Sequence, residues 1–321
     1  MKVVYKKTTE LSESEIQEIC TVFETVFEGV KKPVEHFKNE FINTCLGYSL
    51  HGLLLTDDNK IVGANTFVPF KYIINEEEKL VAMSCDTMVM AEYRNFDNTL
   101  NLITTGRNLL RDNGFYMYIG FPNENSYPLY KKAYRDKEFG NLSIYILPYR
   151  IGGIKKKLFA FNWLSMFFAN IILLFSHFSK STKTVRKLVS RERSSLEATR
   201  YKWFEPAAYH IVNKEDLHFA WKIREYEGVR CAFLFDIFPA CKKNFDAAVR
   251  NVFKEGRKDF DMLMYVGHLD FSPRSLLKVP GRFEPKTFHF VGALLDKSSV
   301  APEGLFNVSN WEVDLASYDL I

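Results

Sequence analysis

Residues 83–140 constrain this 321-residue chain more than any other stretch. They read as a strand ending in a turn at 89–94, a helix over 95–114, a second strand over 115–121, and a Tyr-bearing helix after Pro122-Asn123. A strand that turns straight into a helix puts the helix's first amides at the strand's carboxyl end. That is where an α/β protein holds an anion. Chemistry is therefore expected at this strand end.

The upstream residues complete one domain. Lys2–Lys7 reads as a first strand, and Ser12 with Glu15 forms a capping box. The helix it opens carries Ile16, Ile19, Cys20, Phe23, Val26 and Phe27 at helical spacing. A second helix starts at Pro33, places Val34, Phe37, Phe41 and Cys45 on one side, and stops at Gly47. Strand runs over 48–56, 61–74 and 80–90 are separated by Asp57-Asp58-Asn59-Lys60 and Asn75-Glu76-Glu77-Glu78, and a last strand covers 141–148. The order is β-α-α-β-β-β-α-β-α-β.

Two motifs sit on this order. Asn123-x-x-Ser126-x-x-Leu129-Tyr130 lies on the second helix, and Val89-x-x-x-Tyr93-Arg94 lies at the turn. With them the N-terminal half resembles the GNAT (Gcn5-related N-acetyltransferase) fold, whose patterns are N-x-x-A/S-x-x-L-Y and V-x-P-x-Y-R-G-x-G. Ala91 stands where the family often has Pro. The resemblance implies an N-acyltransferase with acetyl-CoA or another acyl-CoA as co-substrate, no metal, and a small-molecule or carrier-linked amine as acceptor.

Carried over residue by residue, the resemblance places the amides of Met88, Val89 and Met90 at the oxyanion and pantetheine positions. Asn123 and Ser126 fall at pantetheine contacts, and Tyr130 becomes the acid that protonates the thiolate. Helix capping explains Asn123 equally well, and packing on the sheet explains Tyr130. Asp86 and Glu92, at either end of the central strand, are the candidate bases. Strand alternation puts Asp86, Met88 and Met90 on one face. The phosphate turn departs from the family: Arg94-Asn95-Phe96-Asp97-Asn98-Thr99 has neither glycine of Q/R-x-x-G-x-G/A. Glycine there lets backbone approach a pyrophosphate, and the Asp97 carboxylate would repel one by roughly 1 kcal/mol or more. Asp97, Asn98 and Thr99 are also good helix caps.

Charge is uneven along the chain. Residues 150–202 carry a net +10, although the whole chain is only +4. Within them, 158–179 is an uncharged apolar run flanked by Lys155, Lys156 and Lys157 on one side and by Lys180, Lys183, Arg186 and Lys187 on the other. Three readings stay open: a helix on an anionic membrane surface via 155–187, a buried interdomain helix, or a span. No nucleic-acid motif accompanies the charge, so nucleic acid is not favoured.

Five cysteines without CxxC spacing read as reduced thiols, and the N-terminus has no apolar signal core. The expected location is cytoplasmic, peripheral at the inner membrane face if the apolar run lies on lipid.

In the second half, 216–226 reads as helix, 230–238 as strand, the stretch after Pro239 as helix, and 260–267 as strand. Residues 288–295 and 311–315 are further strand candidates. The order is similar to a second GNAT copy without the cofactor motifs. The expected class is thus α/β (α+β), a mixed, mostly antiparallel GNAT-type sheet flanked by helices. Its expected parts are 1–150 as acyltransferase domain, 151–196 as apolar and basic linker, and 197–321 as second GNAT-like domain. Two other functions fit the tandem fold: a Fem-like transferase using aminoacyl-tRNA, and an inactive binding or scaffold protein.

Overall fold

The computed structural model describes residues 1–132, 136–180, 186–193, 209–296 and 300–318. Lys183 and the expected start of the second domain at 197 lie outside them. The chain divides into two units that interleave along the sequence. The first takes Met1–Gly140, Leu188–Pro206 and His289–Asn310; the second takes Asn141–Lys187, Ala207–Phe288 and Trp311–Ile321. Most of the expected linker, up to Lys187, is thus part of the second unit.

In the first unit β1 (Lys2–Lys7), α1 (Glu13–Val26) and α2 (Val34–Ile42) precede β2 (Leu50–Leu55), β3 (Ile61–Ile74) and β4 (Glu77–Val89). Then come α3 (Phe96–Asp112), β5 (Met117–Gly120) and α4 (Tyr127–Lys132). Strands β1 to β4 form an antiparallel meander, and β5 pairs parallel to β4. Two later strands join this sheet: β7 (Val189–Arg191) on β3 and β13 (Phe288–Leu294) antiparallel to β5.

The capping box forms as expected, with Glu15 N–H donating to Ser12 Oγ at 3.3 Å and Ser12 N–H to Glu15 Oε2 at 2.9 Å. Helix α2 ends before Cys45, which therefore leaves the expected apolar face. Helix α3 lies close to the sheet because position 106 is glycine. A Cβ there would fall 2.5 Å from the Phe67 ring and 2.9 Å from the Tyr5 hydroxyl. Leu50, Phe67, Ile103, Leu110 and Tyr118 build the core between them.

The second unit holds the end of β6 (Lys137–Pro148), then α5 (Ile151–Ile154), α6 (Asn162–Ser176), β8 (Tyr209–Lys214), β9 (Leu217–Tyr226) and β10 (Val229–Phe238). After them come α7 (Lys242–Gly256), β11 (Met262–Gly267) and β12 (Leu277–Lys278). Its sheet runs β6-β11-β10-β9-β8, with β10 and β11 parallel and the other neighbours antiparallel.

Two sequence expectations fail here. Residues 216–226, read as helix, form β9, because Glu227 and Gly228 at φ +51° and +74° make a tight turn that pairs it with β10. Residues 311–315, read as strand, form no continuous strand: Trp311 and Asp314 are single bridge positions, Asp314 to Gly267. Both units are mixed α/β, mostly antiparallel sheets flanked by helices.

Candidate active site

Strand β4 carries one residue more than β3 between the pairs Met88–Ala64 and Cys85–Thr66. Asp86 absorbs it in the left-handed region at φ +46°, a conformation Asp tolerates better than most residues. Parallel pairing of β4 with β5 ends at Ser84–Gly120, yet β4 runs on to Val89. Strand β5 ends at Gly120, so beyond Ser84 β4 presents an edge that β5 does not cover.

Hydrogen-bond parity shows what that edge offers. Met90 N–H donates to Val62 O of β3 at 2.9 Å, so Met90 and Met88 turn their peptide groups toward β3. Val89 lies between them and turns its N–H and C=O the other way. Arg94 confirms the direction, its Nε and Nη2 reaching Val89 O at 3.1 and 3.0 Å. Of the three strand amides expected at the site, only Val89's faces the open edge.

Tyr130 stands where the pairing of β4 with β5 ends. Its ring lies over Gly120, 3.7 Å from where a Cβ would be, and its hydroxyl is 3.4 Å from Ser84 Oγ. Burial raises the phenol's pKa, against hydrogen bonds from Ser84 and Thr87 that lower it. It therefore stays a proton donor throughout the neutral range. Asn65 ties the bulge together, its Nδ2 donating to Thr87 Oγ1 at 2.6 Å and to Ser84 Oγ at 3.2 Å. Asp136 N–H holds Tyr130 O at 3.1 Å, and the Asp136 carboxylate pairs with Arg107.

Sequence reasoning missed Asn65, Ser84 and Thr87. The available signal was a polar Asn65-Thr66 pair inside the apolar run of β3, since buried polar groups in a strand need partners.

The bulge overturns the expected alternation of Asp86 with Met88 and Met90. Met88 is buried, whereas Asp86 Oδ2 accepts from Lys32 Nζ at 2.6 Å, and Lys32 also pairs with Glu40 at 2.9 Å. Burial works to lower the Lys32 pKa, but the two carboxylates override it and the ammonium is held well above its usual range. Asp86 is thus one corner of a buried ion triad. Glu92 is exposed on the short turn Ala91–Tyr93.

At the phosphate turn the helix cap is Asn95, not Asp97, Asn98 or Thr99. Its Oδ1 accepts Asn98 N–H at 2.8 Å, and its carbonyl accepts Thr99 N–H at 3.2 Å and Thr99 Oγ1 at 2.9 Å. Asn98 Nδ2 donates to Tyr93 O at 2.8 Å. The amides of Phe96 and Asp97 precede the first helical hydrogen bond and point off the end of α3. The exposed Asp97 carboxylate and the Phe96 ring flank them. Asn123 and Ser126 start α4: Asn123 Oδ1 accepts Ser126 N–H and Oγ, both at 3.0 Å. This is the capping role weighed for Asn123 from the sequence. No cluster of three or more His, Cys, Asp or Glu able to hold a metal occurs among the described residues.

Residues 7–133 match the family model for an acetyltransferase (GNAT) domain. A GCN5-related N-acetyltransferase from Kribbella flavida superposes with TM-score 0.57 at 14% identity, covering 92% of this chain and 71% of that one. One from Anabaena variabilis gives 0.56 at 12% identity, covering 92% and 73%. An Enterococcus faecalis protein described as a probable N-acyltransferase gives 0.54 at 11% identity, with the same two coverages, 92% and 73%. At these identities the likeness is one of fold. No curated protein matches the sequence.

Proposed function

We propose that this chain, whose residues 7–133 match the model of a GNAT acetyltransferase domain, moves an acyl group from acetyl-CoA or another acyl-CoA onto an amine. One observation carries this reading: the open edge of β4, with the Val89 N–H and the Tyr130 phenol on either side of the point at which pairing with β5 ends.

Acyl transfer needs a donor for the carbonyl oxygen and an acid for the leaving thiolate. The Val89 N–H supplies the first, as a fixed dipole needing no reorganisation. Tyr130 supplies the second. As the amine nitrogen bonds to the carbonyl carbon and the C–S bond breaks, the phenol proton passes to sulfur, the amine's proton passes to Glu92 and on to solvent, and solvent returns a proton to the Tyr130 phenolate. Asp86, held by Lys32, acts by fixing the bulge that orients Val89. Glu92 is the carboxylate left at the turn to receive a proton. The Phe96 and Asp97 amides, with Arg94 behind them, are the groups placed for the donor's phosphates. Asn123 and Ser126 cap the helix that carries Tyr130 and so position its phenol. The acceptor is an amine, free or on a carrier.

Calorimetry with acetyl-CoA tests the reading. Micromolar binding that Val89→Pro weakens by more than about tenfold is the expected result. Absence of binding to acetyl-CoA and CoA at millimolar ligand would overturn it. Binding of charged tRNA in that case would identify an aminoacyl transferase, and absence of both ligands a scaffold.

A further inference from the structure

The reaction above makes no use of 158–179, yet this is the most apolar exposed surface of the second unit. Lys156–Ser176 is long and apolar enough to cross a membrane, with mean hydropathy 1.9. It is nevertheless a docked part of the unit. Ala169 and Leu173 are buried in the core with Phe245, Val249 and Phe253. Arg250 Nη1 donates to Ser176 O at 2.7 Å, Ser165 Oγ to Tyr149 O at 2.8 Å, and Gly152 N–H to Asn162 Oδ1 at 2.7 Å. A transmembrane span would strip these partners from α6.

The other face of α6 is bare. Trp163, Phe167 and Leu174 follow one stripe at helical spacing, and Phe168 and Phe175 lie beside it, each more than half exposed. Eight of the seventeen large exposed hydrophobics among the described residues fall within 159–178, whereas the others are scattered. A patch of this kind marks an interaction surface.

Charge selects the occupant. Lys155, Lys156 and Lys157 are exposed at one end of the patch, Lys180 and Arg186 at the other, and no Asp or Glu occurs between Arg150 and Lys187. Lys187 is paired with Asp270 at 2.5 Å. Any two-fold pairing of this face with a second copy would set positive ends against positive ends, parallel or antiparallel. An anionic lipid surface complements both ends and accepts the aromatic stripe at headgroup depth. We propose that α6 lies in the plane of an anionic membrane surface, its aromatic face in the lipid and its Ala169 and Leu173 face on the protein.

Flotation of the full chain with vesicles of phosphatidylcholine, with and without phosphatidylserine, tests this. Binding is expected only with the anionic lipid and should weaken as salt rises. Reversing Lys155, Lys156 and Lys157 to Glu should lower partitioning on the order of a hundredfold. The double variant Phe167→Ser/Leu174→Ser should lower it at least about tenfold while leaving the melting temperature of the free protein unchanged. Carbonate should release the bound protein. Binding indifferent to lipid charge or to the serine pair overturns the proposal, and so does retention in the carbonate pellet. A dimer that the serine pair dissociates, with no vesicle binding, overturns it in favour of self-association.

Discussion

The strand–helix–strand β4–α3–β5 of the first unit and β10–α7–β11 of the second have the same plan and opposite outcomes. In each the two strands are parallel over four pairs, ending at Ser84–Gly120 and at Leu234–Tyr265. In each the first strand then bulges at an Asp in the left-handed region, Asp86 at φ +46° and Asp236 at +53°. Counting on from the bulge, Val89, whose N–H faces the open edge, corresponds to Pro239, which has no N–H.

The second opening is also filled. Gly267 bridges Asp314, Asp236 N–H donates to Asp314 Oδ2 at 2.8 Å, and His268 N–H to Val313 O at 3.1 Å. Position 267 must be glycine for that approach, since a Cβ would fall 2.8 Å from Val313 O. The same backbone geometry thus makes a candidate site in one unit and a closed core in the other. What separates them is one amide and one occupying segment.

The comparison breaks first at Tyr130. Tyr130→Phe should slow thiol release from acetyl-CoA in the presence of an accepted amine by about 10²–10⁴-fold while leaving the acetyl-CoA Kd within about twofold. An unchanged rate would remove the phenol from the chemistry. Val89→Pro gives the first unit the residue that the second has at the matching position. Acetyl-CoA affinity should fall by more than about tenfold, while no inter-strand hydrogen bond is lost because the amide bonds no neighbouring strand; the stability cost is that of the buried Val89 side chain, packed with Leu54, Val62 and Leu102. A Kd that stays put would mean that the edge is not the donor's position.

Asp314→Ala should loosen the filled opening. It leaves the Asp236 and Ala316 amides without their carboxylate, lowering unfolding free energy by about 1–3 kcal/mol in denaturant titrations. The acetyl-CoA Kd should not move.

Acid should act on the first unit through His51, buried between Thr8 and Thr66 and pushed down to about 3 by burial, then by the Lys32 charge. The unfolded chain binds this proton near pH 6.5 and the folded one does not. Stability is therefore full above that pH and falls by up to about 1.4 kcal/mol per pH unit below it. His51→Asn should flatten the slope between pH 6 and 4.

The smallest effect is expected at the phosphate turn. Asp97→Asn should tighten acetyl-CoA about fivefold, the equivalent of roughly 1 kcal/mol of relieved repulsion. Weakened binding would show that the phosphates lie elsewhere.

Much of this was legible in the residues. The capping box, the β-branched runs, the hairpin turns and the Asn123-to-Tyr130 motif each act over a few residues, and each formed where local chemistry required. The misreadings have a common source. Residues 216–226 carry apolar residues compatible with either period, and only pairing with β10 made them a strand. Asp86 was put on one face with Met88 by alternation, which a bulge invalidates without leaving a mark in the sequence. Asn95 took the cap from three eligible neighbours because the helix begins at Phe96, two residues before the start that an Asp97 cap would have set.

The sequence by itself determined the element order of residues 1–148, the likeness of residues 7–133 to a GNAT acetyltransferase domain, the Tyr130 position and the absence of both turn glycines. Local propensity and residue identity suffice for these. Tertiary structure alone decided that Val89 rather than Met88 or Met90 offers its amide, that Asp86 belongs to Lys32, that β13 completes the first sheet, and that 311–318 closes the second opening. Each of these depends on register or on contacts between residues far apart in the chain. Shifting a strand by one residue reverses what it presents, and no local window of sequence records that.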